Sequence, residues 1–263
     1  MKAVVVLMSV KDNFSNYLEK SIDSILSQSY KDFEFVIIAD GSNDKTLDIL
    51  KYYENKDKRV KIIINKKNIG LTRSLNKGIN FANSEYIVRQ DYDDISHHRR
   101  IEFLINFVKR KNLKLALSDC IKINQKGKKI GYIKINNSIH YHQKKIEYMN
   151  TFIHPSIIIK KDLLVDYGMY NESLICSQDY DLWEKIIKVH NFGVLKKKLL
   201  SLRIHNNSIS SLKSKKQREY SFFIGARVRF PNLANHINSH INDKPIDFIN
   251  KINSKNRIFI SYM

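Results

Sequence analysis

The sequence predicts an α/β fold: a doubly wound, mostly parallel sheet with helices on both faces and a helical C-terminal extension. Two patterns carry that prediction. Continuous β-branched and aliphatic runs, the mark of strands covered on both sides, alternate with segments of helical periodicity through residues 3–119. Polar and acidic residues then gather just past the ends of those runs, where open α/β sheets bind ligands.

The elements follow in order. "AVVVLMS" (3–9) is the first strand, and Phe14, Leu18, Ile22, Ile25 and Leu26 recur at helical spacing after it. "FEFVIIAD" (33–40) is the second strand, "GSND" a turn and helix start, and "KTLDILKYYE" the helix. "VKIII" (60–64) is the third strand, and Leu71, Leu75 and Ile79 begin the next helix. "EYIVRQ" (85–90) is the fourth strand, followed by a helix on Ile101, Leu104, Ile105 and Val108 and a strand at "LKLALSD" (113–119). Beyond it, "CIKINQKGKKIGYIKI" reads as two strands joined at Lys126–Lys128, "HPSIIIK" (154–160) as a short strand, and "QDYDLWEKIIKVH" (178–190) as a helix with Leu182, Trp183, Ile186 and Ile187 on one face. Right-handed crossovers place Ser9, Lys11, Asp40 and Asp91 to Asp94 on one rim.

Each candidate has a functional and a structural reading. Asp40, at a strand end before Gly41, suits hydrogen bonds from a nucleobase or ribose, or it caps the next helix, a role open equally to Asn43 and Asp44. Asp91 and Asp93 share a face of an extended chain and can address one ligand. Such oxygen ligands suit Mg²⁺ or Mn²⁺, which accept substrate phosphates in the same shell. The structural alternative is a polar loop in which Asp94 or Ser96 caps a helix. Asp179 opens an amphipathic helix and can serve as a general base; the alternative is that it and Asp181 only favour the helix N-terminus. Arg203 suits a phosphate and His205 a metal, although a lone His in a polar loop is more often solvated. His154, before Pro155, reads as structural or substrate-lining. His97, His98, Arg99 and Arg100 are expected to face solvent. No P-loop occurs and no G-x-G-x-x-G follows a strand, which argues against dinucleotide binding.

The 263 residues carry a formal charge of +20, which favours anionic partners unless it only reflects a composition rich in Lys, Asn and Ile. Cys120 and Cys176 have neither zinc-site nor disulfide spacing and fit a reducing, cytosolic setting. "AVVVLMSV" has no cleavage site after it, and no run is long enough to span a bilayer.

The separated segments, taken together, resemble an inverting family 2 glycosyltransferase of GT-A-like fold. "VVVLMSVKDN" is similar to that family's first strand and loop. "LEKSIDSILSQSYKDFEFVIIADGSNDKT" is very close to its stretch through the strand-end Asp. "NKKNIGLTRSLNKGI", "YIVRQDYDDIS", "SQDYDLWEKI" and "RIHNNSIS" resemble its later turn, D-x-D segment, base-bearing motif and late loop, so that residues 3 to about 212 are covered. Departures are Ser9 where Pro is common, Lys11 where Tyr is common, Ala39 before Asp40 where Asp is frequent, and Gln178 where Glu is frequent. They bear on donor selectivity more than on reaction type.

The resemblance implies a glycosyltransferase domain over 1–212, with a nucleotide-binding half over 1–119 and an acceptor half over 120–212, and a basic extension over 213–263. Asp40, with Ser9 and Lys11 nearby, would contact the nucleotide, and Arg73 its phosphates. Asp91 and Asp93 would hold a metal–diphosphate, with His205 in the same shell and Asp94, Gln178 and Arg203 in support. Asp179 would be the base. The implied cofactor is Mg²⁺ or Mn²⁺, the donor a nucleoside-diphosphate sugar (a UDP-sugar foremost), and the acceptor a glycan or lipid-linked molecule in cell-surface polysaccharide synthesis. The expected location is cytoplasmic, extending to the inner face of the membrane. There the basic, aromatic tail around Lys213, Lys215, Lys216, Arg218, Tyr220, Phe222, Phe223, Arg227, Arg229 and Phe230 would touch anionic lipid, or else simply pack as a helix. Two other readings compete. A sugar-phosphate nucleotidyltransferase needs a Gly-rich basic loop after strand one, where only Lys11 stands. A nucleic-acid-binding protein needs a groove-reading motif or a basic stripe interleaved with aromatics, and neither occurs in the first two hundred residues.

Overall fold

A computed structural model describes residues 2–12, 17–206 and 214–230. Phe14 and Lys213 lie outside the described residues. Four parallel strands, β1 (Lys2–Val10), β2 (Phe33–Asp40), β3 (Val60–Asn65) and β4 (Ser84–Arg89), alternate with α1 (Tyr17–Leu26), α2 (Asp44–Lys56) and α3 (Leu71–Phe81). Then come β5 (Ile95–Ser96), α4 (Arg100–Lys111), the hairpin β6 (Leu115–Ile123) and β7 (Lys129–Ile133), and α5 (Ile139–Lys145). A 3₁₀ turn (His154–Ser156), β8 (Ile157–Lys160), α6 (Lys161–Asp166), α7 (Gln178–Ile186), β9 (Gly193–Arg203) and α8 (Ser214–Arg229) complete the described chain. The nine strands form one sheet in the order β3-β2-β1-β4-β8-β6-β9-β5, with β7 paired to β6. β8 runs antiparallel to both β4 and β6, so β6 and β9 again point the same way as β1 to β4.

The core shows why the strand runs are continuously apolar. Val4, Val6, Met8 and Val10 of β1 enter one buried cluster with α1, α2 and α4, while Val5 and Leu7 enter the other with α3, α6, α7 and α8. Alternate side chains point to opposite faces, and each face is covered by helices.

The sequence reading needs four amendments. "HPS" is a 3₁₀ turn and the strand starts at Ile157, because Pro155 sits in the turn and has no N–H for a ladder. Helix α7 stops at Ile186, short of residue 190. Strand β9 has no counterpart in that reading; it carries "SLR", taken there as loop, into the sheet beside β6 and β5. Arg100 is fully buried, while His97, His98 and Arg99 are exposed as expected. Cys120 and Cys176 are buried, and burial pushes the Cys120 thiol up to about 12, which suits an inert core thiol.

The aromatic part of the expected membrane contact is also amended. Tyr220 and Phe223 are buried, and Tyr220 and Ile224 join the core cluster around α7. Lys215, Lys216 and Arg218 stay exposed. No helix among the described residues is long and apolar enough to cross a membrane.

Candidate active site

The carboxyl ends of β1, β2 and β4 converge on one rim. Asp40 ends β2 with its carboxylate buried. It accepts hydrogen bonds from the backbone N–H of Ile69 (2.8 Å) and Gly70 (2.9 Å) and from Asn65 Nδ2 (3.1 Å). It is not the helix cap, since Asn43 accepts from Thr46 N at 2.9 Å. Asp40 therefore draws the 65–70 loop onto the strand end. Gly41 permits the approach: its φ is +66°, and a Cβ there would meet Asn68 N at 2.3 Å. The β1 loop is tied in through Ser42 Oγ, which donates to Val10 O (3.1 Å), and Asn43 N, which donates to Asp12 Oδ1 (3.2 Å). Ser9 is buried, and exposed Lys11 lies 4.0 Å from the Asp12 carboxylate. Arg73 instead pairs with Glu172 at 3.5 Å on the surface, a partnership the sequence did not suggest.

The acidic loop after β4 is folded around a buried polar net. Gln90 donates to Ser21 Oγ (3.0 Å), Asp91 O (3.1 Å) and Asp94 O (3.0 Å), and its Oε1 accepts from Ser96 Oγ (2.9 Å) and Arg100 Nη1 (2.8 Å). Arg100 also donates to the carbonyls of Arg89 and Pro155. Buried Arg89 ion-pairs with Asp91. Asp93 Oδ2 lies 2.7 Å from His205 Nε2, Asp94 Oδ1 accepts from Arg203 N (2.8 Å), and Arg203 Nε donates to Asp93 O (2.8 Å). His205 is buried against the Tyr17 ring rather than solvated.

Burial, then the charge of Asp91, raises the Asp93 carboxyl above its usual range, with His205 opposing. Asp94 is raised well above that range by burial and then by Asp93 and Asp91, and its Oδ2 has no hydrogen-bond partner. Burial pushes the Arg100 guanidinium down to about 10. Three carboxylates gathered on one loop and an orphaned carboxylate oxygen fit a hard divalent cation in chemistry, with Arg89, Arg100 and Arg203 buried beside them. Asp91, Asp93 and His205 do not form a closed ligand set: Asp91 turns to Arg89, and no three His, Cys, Asp or Glu side chains among the described residues are spaced to hold an ion.

Asp179 sits in the first turn of α7, after Ser177 at φ +58°. Asn150 Nδ2 donates to Asp179 Oδ2 at 2.7 Å, and Asn150 Oδ1 accepts from Phe152 N at 3.0 Å, which fixes the amide's orientation. Burial raises the Asp179 carboxyl. The N–H of Tyr180 and the Asn150 amide oppose that rise, and the charge of Asp91 adds to it. The two carboxylates thus lie within each other's field. Tyr170, also in that field, hydrogen-bonds His154 Nε2 at 2.7 Å, and burial holds His154 well below its usual pKa. His154 is therefore a neutral support beneath the site. Gln178 is buried beside Asp179.

Helix α8 braces this side. Ser177 Oγ donates to Gln217 O (3.2 Å), and Arg227 reaches both Asp181 (2.7 Å) and Glu184 (2.6 Å). Gly225 lets α8 close on the preceding loop, since a Cβ there would meet Glu147 O at 2.8 Å. Arg89, Gln90, Arg100, Asn150 and Tyr170 are the residues the sequence reading missed. Arg89 and Gln90 carried a signal, polar side chains closing an apolar strand. Asn150 and Tyr170 carried none.

Comparison with known proteins bears on the family and the fold. Residues 5–166 match Glycosyl transferase family 2. An uncharacterised glycosyltransferase of Methanocaldococcus jannaschii is 34% identical over 84% of this chain and 77% of its own length. The O-antigen biosynthesis glycosyltransferase WbnJ of Escherichia coli is 34% identical over 78% of this chain and 81% of its own. Among solved structures, S. aureus TarS 1-349 in complex with UDP-GlcNAc superposes with a TM-score of 0.72 at 20% identity, over 98% of this chain and 74% of that one. The mannosyltransferase PcManGT of Pyrobaculum calidifontis, in complex with GDP-Man and Mn²⁺, gives 0.64 at 13%, over 93% and 71%. Its sequence and its GT-A-type architecture together make this chain a glycosyltransferase of family 2.

Proposed function

We propose that the chain transfers a sugar from a nucleoside-diphosphate sugar, foremost a UDP-sugar, to an acceptor hydroxyl with inversion at the anomeric carbon. The observation that carries this reading is the partly open carboxylate of Asp179. It is anchored through Oδ2 by Asn150 and feels the charge of Asp91 in the acidic loop. Relatives support the donor class: solved structures of similar fold hold UDP-GlcNAc or GDP-Man.

In this reading residues 1–119 take the nucleotide and 120–212 the acceptor. Asp40, Ser9 and Lys11 border the nucleotide; Arg73, paired with Glu172, is a weaker candidate for its phosphates. Asp93, with Asp91 and His205 beside it, would hold Mg²⁺ or Mn²⁺, which supplies positive charge to the departing diphosphate. Asp179 takes the proton of the acceptor hydroxyl while that oxygen bonds to the anomeric carbon. The bond from that carbon to the diphosphate oxygen breaks on the opposite face. Asn150 keeps one carboxylate oxygen occupied, so the other receives the proton. Arg203 and Gln178 position the loop and the base. The O-antigen relative supports an acceptor in cell-surface polysaccharide synthesis.

A panel of nucleotide sugars incubated with Mn²⁺ or Mg²⁺ tests the proposal. The expected product is nucleoside diphosphate, lost on chelation, and Asp93→Asn should raise the metal concentration required. Formation of sugar 1-phosphate instead, or release of pyrophosphate when a nucleoside triphosphate and a sugar 1-phosphate are supplied, would mean nucleotidyl transfer and would overturn it.

A further inference from the structure

Between Cys120 and Ile146 the sequence has no Asp or Glu, but it has Lys122, Lys126, Lys128, Lys129, Lys134, Lys144 and Lys145. Residues 185–212 are likewise free of acids and contribute Lys196, Lys197 and Lys198. The fold brings these two stretches together, because β6 pairs with β7 on one side and with β9 on the other. Lys129 Nζ and Lys198 Nζ both lie on the ring of Tyr132, at 4.5 Å and 4.2 Å from its centre. Asp119, in the same sheet, is buried; it accepts from Ile135 N and sits 3.8 Å from Lys196 Nζ.

Two large apolar side chains stand in the middle of this positive field. Ile130 is 55% exposed and Tyr132 45% exposed. Strand alternation puts them on the same face of β7. Solvated lysines alone need no explanation in so basic a chain. Lysines ringing an exposed aliphatic and an aromatic side chain are the combination that enters the interface of an anionic bilayer, with the ammonium groups at the headgroups and the apolar tips below them. In the described part of the tail Tyr220 and Phe223 are packed inside. The hairpin is also tied to the site: Arg203 Nη1 donates to Asn124 O (3.1 Å) and Gln125 O (3.0 Å) in its turn, and Arg203 Nε donates to Asp93 O.

We propose that the β6–β7 hairpin, with the β9 lysines beside it, is a docking surface for an anionic lipid bilayer. A bilayer is favoured over a soluble acidic polymer because a polymer gives Ile130 and Tyr132 nothing to bury into. Docking there brings the acceptor half of the site to the membrane surface, and the inference does not depend on which residue is the base.

The test is sedimentation of the full chain with phosphatidylcholine vesicles, with and without about one third phosphatidylglycerol. Binding is expected only to the anionic vesicles and should weaken with salt. Lys129→Ala with Lys198→Ala should weaken it about 25-fold, at roughly fivefold per lysine. Ile130→Ser with Tyr132→Ser should weaken it by at least about fivefold. Both variants should keep the wild-type circular dichroism and melting temperature, since the four side chains are exposed. The proposal is overturned if the wild type ignores the anionic vesicles, or if both hairpin variants bind as well as it does. It is also overturned if only Lys215→Ala with Lys216→Ala reduces binding, or if the apolar pair has no effect and soluble polyglutamate competes as well as the vesicles.

Discussion

The acidic loop after β4 and the start of α7 that carries Asp179 are held in different ways. The loop is organised mainly from within. Gln90 and Arg100 lie within ten residues of Asp91 to Asp94; Gln90 binds the Asp91 and Asp94 carbonyls and Arg100 holds the Gln90 amide, with Ser21 and Arg203 closing the net. Asp179 is held almost wholly from outside, by Asn150 across the site and by α8 through Ser177 and Arg227. The loop also leaves one carboxylate oxygen of Asp94 without a partner, whereas the carboxylates behind Asp179 are all paired, Asp181 with Lys185 and Arg227, and Glu184 with Lys188 and Arg227. The difference teaches that the loop gathers several carboxylates among buried arginines, while the α7 end fixes one carboxylate by a single amide.

The largest effect should come from that fixed carboxylate. Asp179→Asn should lower kcat roughly 10²–10⁴-fold while donor binding stays near wild type; near-normal turnover would remove Asp179 from the base role. Next is the loop's internal net. Arg100→Met leaves Gln90, Ser96 and two carbonyls without their donor and should cost about 3 kcal/mol in urea unfolding, with weaker Mn²⁺ binding. A small loss with intact Mn²⁺ affinity would show that the net is not what shapes the loop.

Asn150→Ala should reduce kcat about tenfold and move the acid limb of the kcat/KM profile to higher pH. The sign follows from the partners. Burial already raises the Asp179 carboxyl, the Asn150 donor counteracts that rise, and the base fails as pH drops through its pKa. An unmoved limb would reduce Asn150 to a packing residue. The smallest effect is expected at Asp94. Its folded-state pKa lies above the unfolded one, so the folded chain binds an extra proton in that window and stability falls as pH rises through it. Asp94→Asn should flatten that fall in chelator-treated protein and raise Tm at neutral pH by a few degrees, the equivalent of about 1 kcal/mol. A lower Tm would mean that Arg203 N depends on the charged form.

Much of this was legible beforehand. The β1 to β4 runs, the helices between them and the strand-end positions of Asp40 and Asp91 to Asp94 follow from period and composition, because both faces of the sheet are buried and the pattern has no competing solution. β9 was not legible, since "VLKKKLLSLR" mixes lysines into a strand with one exposed stretch. Arg100 looked like a surface charge, since a guanidinium is buried only when distant acceptors are waiting for it.

The sequence by itself therefore determined the layered fold, the rim on which the acidic residues collect, and the family. Local periodicity and short spacings encode all three. Tertiary structure alone decided that Asp40 clamps a loop instead of capping a helix, that Asp93 meets His205, that Asn150 grips Asp179, and that Tyr220 and Phe223 pack inward. Those outcomes depend on contacts between residues 25 to more than 100 positions apart, as between Asp40 and Asn65 or between Asp93 and His205, and no local pattern records them.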